Sequence, residues 1–452
     1  MNRLLTLLFF FISSVCLSGQ TLGDERSAFF KRSNAAAQAY RARKNQELGD
    51  FLRRGWKIAT ESEPVRDPFR QKEATLPVGK PAEVPIEHPV KEEVISGGSF
   101  ALPFYGHTYK VDYDRLADFA LLSISESDVA TAWDRLSLGA SSLLMDCQSI
   151  KERAKLSDWA YLQLVDSLST TIYPYSENER QLLFGFLLGK SGYNVRFGRS
   201  GEELTCLYGT EQIIYAKPYF FKDGIHYYRY RPGDQSLELS DPVPEGTRIL
   251  DLQLTSAPAV GTGLVQEKHI KVGPIEFDYR IPQGLLDFYE NYPHTEMFVK
   301  ANAPVSEYVR ENVYPVLKSA IDGKGEVESA NILLSFAQGL MVHQSDEEHW
   351  GHEKWNFPDE SIFYQCGDCD DHAILFARLA KDLLGLDVLL ISCDVDGAPH
   401  ATTAIRFNEP LDGDSILYEN ESYYCCEPSS TSARVGDRCW DNYVIKRIDK
   451  IR

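Results

Sequence analysis

Positive charge is scarce in this chain. Its 47 lysines and arginines face 66 aspartates and glutamates, a net charge of −19 over 452 residues. Such a surface repels a phosphate backbone, which argues against nucleic-acid binding and against a basic membrane-surface role. One stretch departs from this: residues 26–57 carry nine basic side chains against Glu47 and Asp50. A helix there would suit an acidic partner, although a solvated amphipathic helix needs none. Long apolar runs are missing too. The run Leu4–Ile12 is too short to cross a bilayer and no later segment is long and apolar enough, so no transmembrane segment is expected. Histidine is absent between His107 and His226, which deprives that part of the chain of an imidazole base.

What is present is an ordinary globular balance, 43% hydrophobic and 25% charged, in a chain long enough for two or three domains. Arg3, the run Leu4–Ile12 and the small residues Ser13, Ser14, Ser18 and Gly19 read as an export signal at 1–19. Cys16 would suit a lipoprotein, but Val15 fits poorly where a small residue is needed. The expected location is therefore periplasmic or secreted. Residues 20–60 read as an N-terminal helix with Phe29, Phe30, Tyr40, Phe51, Leu52 and Trp56 as its apolar content. Residues 61–98 read as a linker, with six prolines from Pro64 to Pro89. Apolar periodicity predicts helices over 127–145, 157–170, 178–190, Val305–Ile321 and Asn331–Val342, and alternation predicts strands at Ile270–Val272 and Ile275–Tyr279. The class is α+β, with one such domain at 99–255, a connecting region at 256–325 and a C-terminal domain at 326–452.

One pattern occurs twice. Leu182-Leu-Phe-Gly-Phe-Leu187 followed by Gly192-Tyr-Asn-Val195 is similar to Ile374-Leu-Phe-Ala-Arg-Leu379 followed by Gly385-Leu-Asp-Val388. Tyr227-Tyr228 with Pro232 matches Tyr423-Tyr424 with Pro428 at the same spacing. Two related helix-plus-sheet units would explain the echo, as would chance likeness between amphipathic helices followed by tyrosine-rich strands. Aligned, the copies set Glu177 opposite Cys369 and Arg231 opposite Glu427, and His400 has no histidine counterpart, so the first copy would be degenerate.

The densest chemistry lies at Gln365-Cys-Gly-Asp-Cys-Asp-Asp-His-Ala373. Ala373, Phe376, Ala377, Ala380, Leu383 and Leu384 recur at helical spacing straight after it, which sets Cys369 at a helix N-terminus, where the dipole favours thiolate. Asp368, Asp370 and Asp371 oppose that charge. His400 and then Glu427 follow, giving the order nucleophile, base and orienting acid. The nine cysteines include eight after the signal, six of them in the last 87 residues. Sequence leaves their pairing open, and a Cys366–Cys369 bridge would silence the nucleophile.

From Phe357-Pro-Asp-Glu360 through Gly367-Asp-Cys-Asp-Asp-His-Ala373, His400-Ala401 and Glu427-Pro428, the last 120 or so residues resemble a transglutaminase-like domain of the papain-like cysteine peptidase superfamily, as in exported bacterial proteins. The resemblance implies a helix-plus-antiparallel-sheet domain, with Cys369 as nucleophile, His400 as base and Glu427 standing where the family has aspartate. It implies a helix-capping or backbone-binding role for Asp371. Gln365 is a candidate oxyanion donor by proximity, beside the Cys369 backbone N–H. The implied activity is acyl transfer on amide bonds of a peptide or protein substrate, as a peptidase or amidase before a cross-linking enzyme, with no cofactor and no metal. The alternative is a catalytically silent scaffold of the same fold. Oligomeric state cannot be read from the sequence.

Three further signals are weak. His343, His349 and His352 lie in an acid-rich stretch without metal-ligand spacing and read as a solvated loop. Cys366 and Cys369 with Cys425-Cys426 lack a second CxxC for zinc. Asp394-Val-Asp396-Gly397 begins like a calcium loop but lacks its closing glutamate.

Overall fold

Two helix pairs, each followed by an antiparallel sheet, organise the chain. The computed structural model describes residues 43, 56–68, 98–113, 119–231, 233–243, 246–261, 263–437 and 441–452. Strand β1 (Lys57–Thr60) is followed by the hairpin β2 (Gly98–Phe104) and β3 (His107–Tyr113). Helices α1 (Glu126–Gly139), α2 (Ser141–Arg153), α3 (Asp158–Ile172) and α4 (Glu177–Lys190) come next. Strands β4 (Val195–Ser200), β5 (Glu203–Thr210), β6 (Phe220–Lys222), β7 (Ile225–Arg229) and β8 (Ser236–Leu239) complete the first half. A hairpin of β9 (Val265–Val272) and β10 (Ile275–Pro282) leads into α5 (Gln283–Glu290), α6 (Met297–Ala301), α7 (Glu307–Asn312) and α8 (Tyr314–Ile321). The second half holds α9 (Glu326–Leu340), β11 (Val342–His343), α10 (Asp346–His349), α11 (Pro358–Tyr364), β12 (Cys366–Gly367) and α12 (Cys369–Leu384). It closes with β13 (Asp387–Val395), β14 (Ala398–Arg406), β15 (Ser415–Tyr418), β16 (Glu421–Cys426) and β17 (Tyr443–Lys450). The class is α+β with antiparallel sheets.

The sheets have orders β6-β7-β5-β4-β8-β1 and β15-β16-β14-β13-β17. Replacing β4 by β13, β5 by β14, β6 by β15, β7 by β16 and β8 by β17 turns one into the other, apart from β1 at an edge. Registers agree as well. Val195 faces Tyr208 and Tyr208 faces Tyr228 in the first sheet, while Val388 faces Ile405 and Ile405 faces Tyr424 in the second. By this register Glu203, opposite Ser200, takes the place that His400, opposite Cys393, has in β14. Glu177 and Cys369 each open the second helix of their pair.

Apolar faces decide how helix meets sheet. Ala373, Phe376, Ala377 and Ala380 of α12 are buried, and α12 packs against α9 and β14. Each large side chain so buried contributes about 1.5–3 kcal/mol. Gly185 is the α4 residue matching Ala377, and a Cβ there would lie 2.5 Å from Phe197 of β4. The first unit fits a bulkier ring at the price of a helix glycine.

Several boundaries differ from expectation. The helix expected at 127–145 breaks at Ala140, between Gly139 and Ser141, whose low helix propensity permits a new start. The helix expected over Val305–Ile321 breaks at Val313, because Pro315 is tolerated only in the first turn of α8. Lys57–Thr60 is strand rather than the end of a helix, paired with β8. The rest of the expected 20–60 helix, Arg43 and Trp56 apart, and the signal at 1–19 lie outside the described residues. The first part of the expected linker is docked chain: Glu61 forms a buried ion pair with Arg229, and Ser62 bridges to Tyr219. Residues 69–97 and Cys439 lie outside the described residues.

Candidate functional site

Asp368 caps α12, its carboxylate accepting from the Asp370 N–H at 3.1 Å. Cys369 is thus the first residue of the helix, where backbone N–H groups have no intrahelical partner. The Ala401 N–H lies near enough to the sulfur to favour its anion, so the thiol faces the strand at the residue after His400. His400 Nε2 meets Glu427 Oε2 at 3.1 Å. The other Glu427 oxygen accepts from the Ser429 N–H at 2.9 Å and from the Ser429 hydroxyl, and Gln338 donates to the Glu427 carbonyl at 2.9 Å. Glu427 is therefore buried and fixed from three sides. The structure brings Cys369, His400 and Glu427 to one end of the second sheet.

Acids crowd the thiol. Cys369 Sγ lies 3.5 Å from Asp370 Oδ1, while Asp370 Oδ2 accepts from Trp355 Nε1 at 3.0 Å. Burial, with the Asp370 and Asp368 carboxyls beside it, pushes the Cys369 thiol well above its ordinary range. Burial and neighbouring carboxyls likewise push Asp370 and Asp371 well up. Desolvation with Asp370 and Asp368 outweighs the helix dipole and favours the thiol over the thiolate.

Of the two roles expected for Asp371, capping falls to Asp368 and Asp371 takes the backbone-binding one. Its carboxylate accepts from the Asn356 backbone N–H at 2.7 Å and from the Asn356 side-chain amide at 3.0 Å. This contact explains Gly367: a Cβ there would sit 2.4 Å from Asp371 Oδ2. Gln365 ends α11 in the left-handed region, φ 58°, and its carbonyl accepts from the Val342 N–H. Its side chain makes no hydrogen bond among the described residues.

The histidine stretch is solvated at His343 and His352, both exposed, but its middle is ordered and packed. Asp346–His349 forms a short helix with Asp346 buried and bonded to the Lys354 N–H at 2.8 Å. His349 packs on Cys366, whose sulfur is 3.4 and 3.3 Å from the two ring nitrogens. Near-equal distances set the sulfur over the ring face, a packing contact rather than a second thiol–imidazole dyad. Among the described residues, Cys366 and Cys369 are both free thiols. Among the described residues, Asp368, Cys369 and Asp370 are the one group of three acid, cysteine or histidine side chains with ligand atoms within 4.8 Å of one another. Two of its members already serve the helix cap and the Trp355 indole. Asp394-Val-Asp396-Gly397 forms the β13–β14 turn.

Sequence reasoning missed Trp355 and Asn356, which hold Asp370 and Asp371 from the loop before α11. It also missed Lys354–Glu360, a buried ion pair at 2.7 Å. The run Lys-Trp-Asn-Phe-Pro leading into α11 was the signal. No protein-family model matches this chain, and no curated protein matches its sequence. No helix among the described residues is long and apolar enough to cross a membrane.

Proposed function

We propose that the second unit is a thiol-dependent acyl-transfer centre of transglutaminase-like type, acting on amide bonds of a peptide or protein as a peptidase or amidase. The observation that carries this reading is the His400–Glu427 hydrogen bond beside a helix-start thiol. Glu427 fixes the imidazole through Nε2, which leaves Nδ1 to serve as the base. Because Cys369 rests protonated, His400 takes its proton as sulfur attacks the carbonyl, rather than from a standing ion pair. The imidazolium then protonates the departing amine, and water, activated by the neutral imidazole, resolves the thioester. The Cys369 N–H and the Gln365 amide are the candidate donors to the oxyanion. In this reading the protein is exported, and the first unit is a degenerate copy that has kept the frame without the base.

The second reading is a silent scaffold, and the acid-crowded, protonated thiol favours it. Thiol alkylation and peptide-amide cleavage, each followed across pH for the parent and Cys369→Ala, separate the two. Alkylation of Cys369 accompanied by loss of cleavage supports the enzyme. Absence of any Cys369-dependent turnover across a broad peptide panel supports the scaffold.

A further inference from the structure

A cavity of about 630 Å³, counting its open mouth, lies where the two halves meet beside β13 and β17. Trp355 and Tyr215 form an aromatic wall, ring centroids 5.9 Å apart and edge to face, and Met297 adds apolar surface. The cavity adjoins the candidate centre through two routes. Trp355 bonds Asp370, which contacts the Cys369 thiol, and Cys393 and Pro399 of the lining are the cross-strand partner and the chain neighbour of His400.

The charge of the lining is uneven. Glu296, Asp394 and Asp449 face Lys446 and Arg447. Both cations are already engaged, Lys446 with Asp394 at 2.7 Å, and Arg447 with Glu296 at 2.6 Å and Asp449 at 2.8 Å. An anionic ligand would have to break one of these pairs, whereas a cation meets a lining with one carboxylate more than it has cations. We propose that this cavity is the specificity subsite of the centre and takes a cationic side chain on an apolar stem, as lysine or arginine presents. The inference rests on Cys369 being the nucleophile, but binding can be read without turnover.

The test uses the full chain and acetylated tetrapeptide amides carrying Lys, Met or Glu at each position in turn. Binding to Cys369→Ala is measured by fluorescence anisotropy, and cleavage by the parent by mass spectrometry. At one position Lys should bind about tenfold or more tighter than Glu, with the same preference in cleavage rate. Asp394→Arg should shrink or reverse the Lys-to-Glu ratio, a quotient that a general loss of folded protein would leave unchanged. Equal binding of Lys and Glu peptides at every position overturns the subsite, as does an unchanged ratio in Asp394→Arg. A Lys preference in binding that Asp394→Arg removes, with no Cys369-dependent cleavage, keeps the subsite and overturns the nucleophile.

Discussion

The two helix-plus-sheet units differ less in frame than in what joins their helices. In the first, residues 173–176 link α3 to α4; in the second, residues 341–368 link α9 to α12 and contain α10, α11 and two short strands. The longer connection supplies Trp355 to Asp370 and Asn356 to Asp371, so the start of α12 is gripped from outside. At the start of α4 the carboxylate of Glu177 is spent inside its own helix, on Arg180 and on Gln181 at 2.9 Å. Arg231, matching Glu427, binds Asp166 of α3 at 2.9 Å, and Glu203, matching His400, is exposed. The fold supplies a helix start beside a strand twice. Side chains and one insertion, rather than the frame, set the two units apart.

The largest effects should separate the units outright. Cys369→Ala and His400→Ala are each expected to cut amide-bond turnover about a thousandfold or more, whereas Glu203→Ala leaves it within about twofold. Initial rates on the best peptide amide measure this. A comparable loss from Glu203→Ala would show that the first unit takes part in the reaction.

Next in size is the orienting acid. Glu427→Ala should lower turnover about a hundredfold, with Glu427→Gln losing less because its carbonyl can still accept from the imidazole. The matching change, Arg231→Ala, should leave the rate alone and cost about 1–3 kcal/mol in urea unfolding, since Asp166 loses its ion partner. Equal rates for Glu427→Ala and the parent would remove glutamate from the mechanism.

Electrostatics offers a subtler contrast. Burial and Asp368 raise the Asp346 carboxyl from 3.8 to about 8. The folded chain holds a proton that the unfolded chain releases, so this group's contribution is complete below about pH 4 and is lost as pH rises toward 8. Asp346→Asn keeps the acceptor for the Lys354 N–H without the charge. Its stability relative to the parent should therefore climb between pH 4 and 8, by on the order of 2 kcal/mol. Asp158 in the first unit has the opposite sign: burial raises it, but hydrogen bonds from Lys151 and Tyr193 and nearby cations prevail and hold it low. The deficit of Asp158→Asn should be full at neutral pH and fade as pH falls through the lowered value. Thermal melts across pH test both, and parallel slopes would erase the contrast.

Much of the frame was legible because it is periodic. The helices around Cys369 and Leu182 follow from apolar spacing, and the paired tyrosines mark equivalent positions in β7 and β16. The meeting of the Cys369 thiol with the strand carrying His400, and of His400 with Glu427, follows the order of the residues in the chain. Trp355 and Asn356 were not legible, because a loop residue reaching fifteen positions ahead leaves no repeating pattern. The docking of residues 61–68 was hidden by prolines that suit a linker and an extended edge segment equally well. The break at Ala140 turned on weak propensities of neighbouring residues, and these lose to packing in either direction.

The smallest effect belongs to a graft. Glu177→Cys combined with Glu203→His gives the first unit a helix-start thiol and a strand imidazole at the register positions of Cys369 and His400. Installed in the Cys369→Ala chain, this pair should restore no measurable turnover. The first hairpin ends at Ser200–Glu203, while β13 and β14 run two pairs past Cys393–His400. A histidine at 203 would therefore sit at a turn, and Arg231 rather than a carboxylate would stand at the matching position. The stability cost should also be slight, below about 1 kcal/mol, because the Glu177–Arg180 pair is half exposed and Glu203 is exposed. Recovery of even a hundredth of parental turnover would mean that helix start and strand register suffice for acyl transfer, and that the insertion holding Asp370 and Asp371 is dispensable.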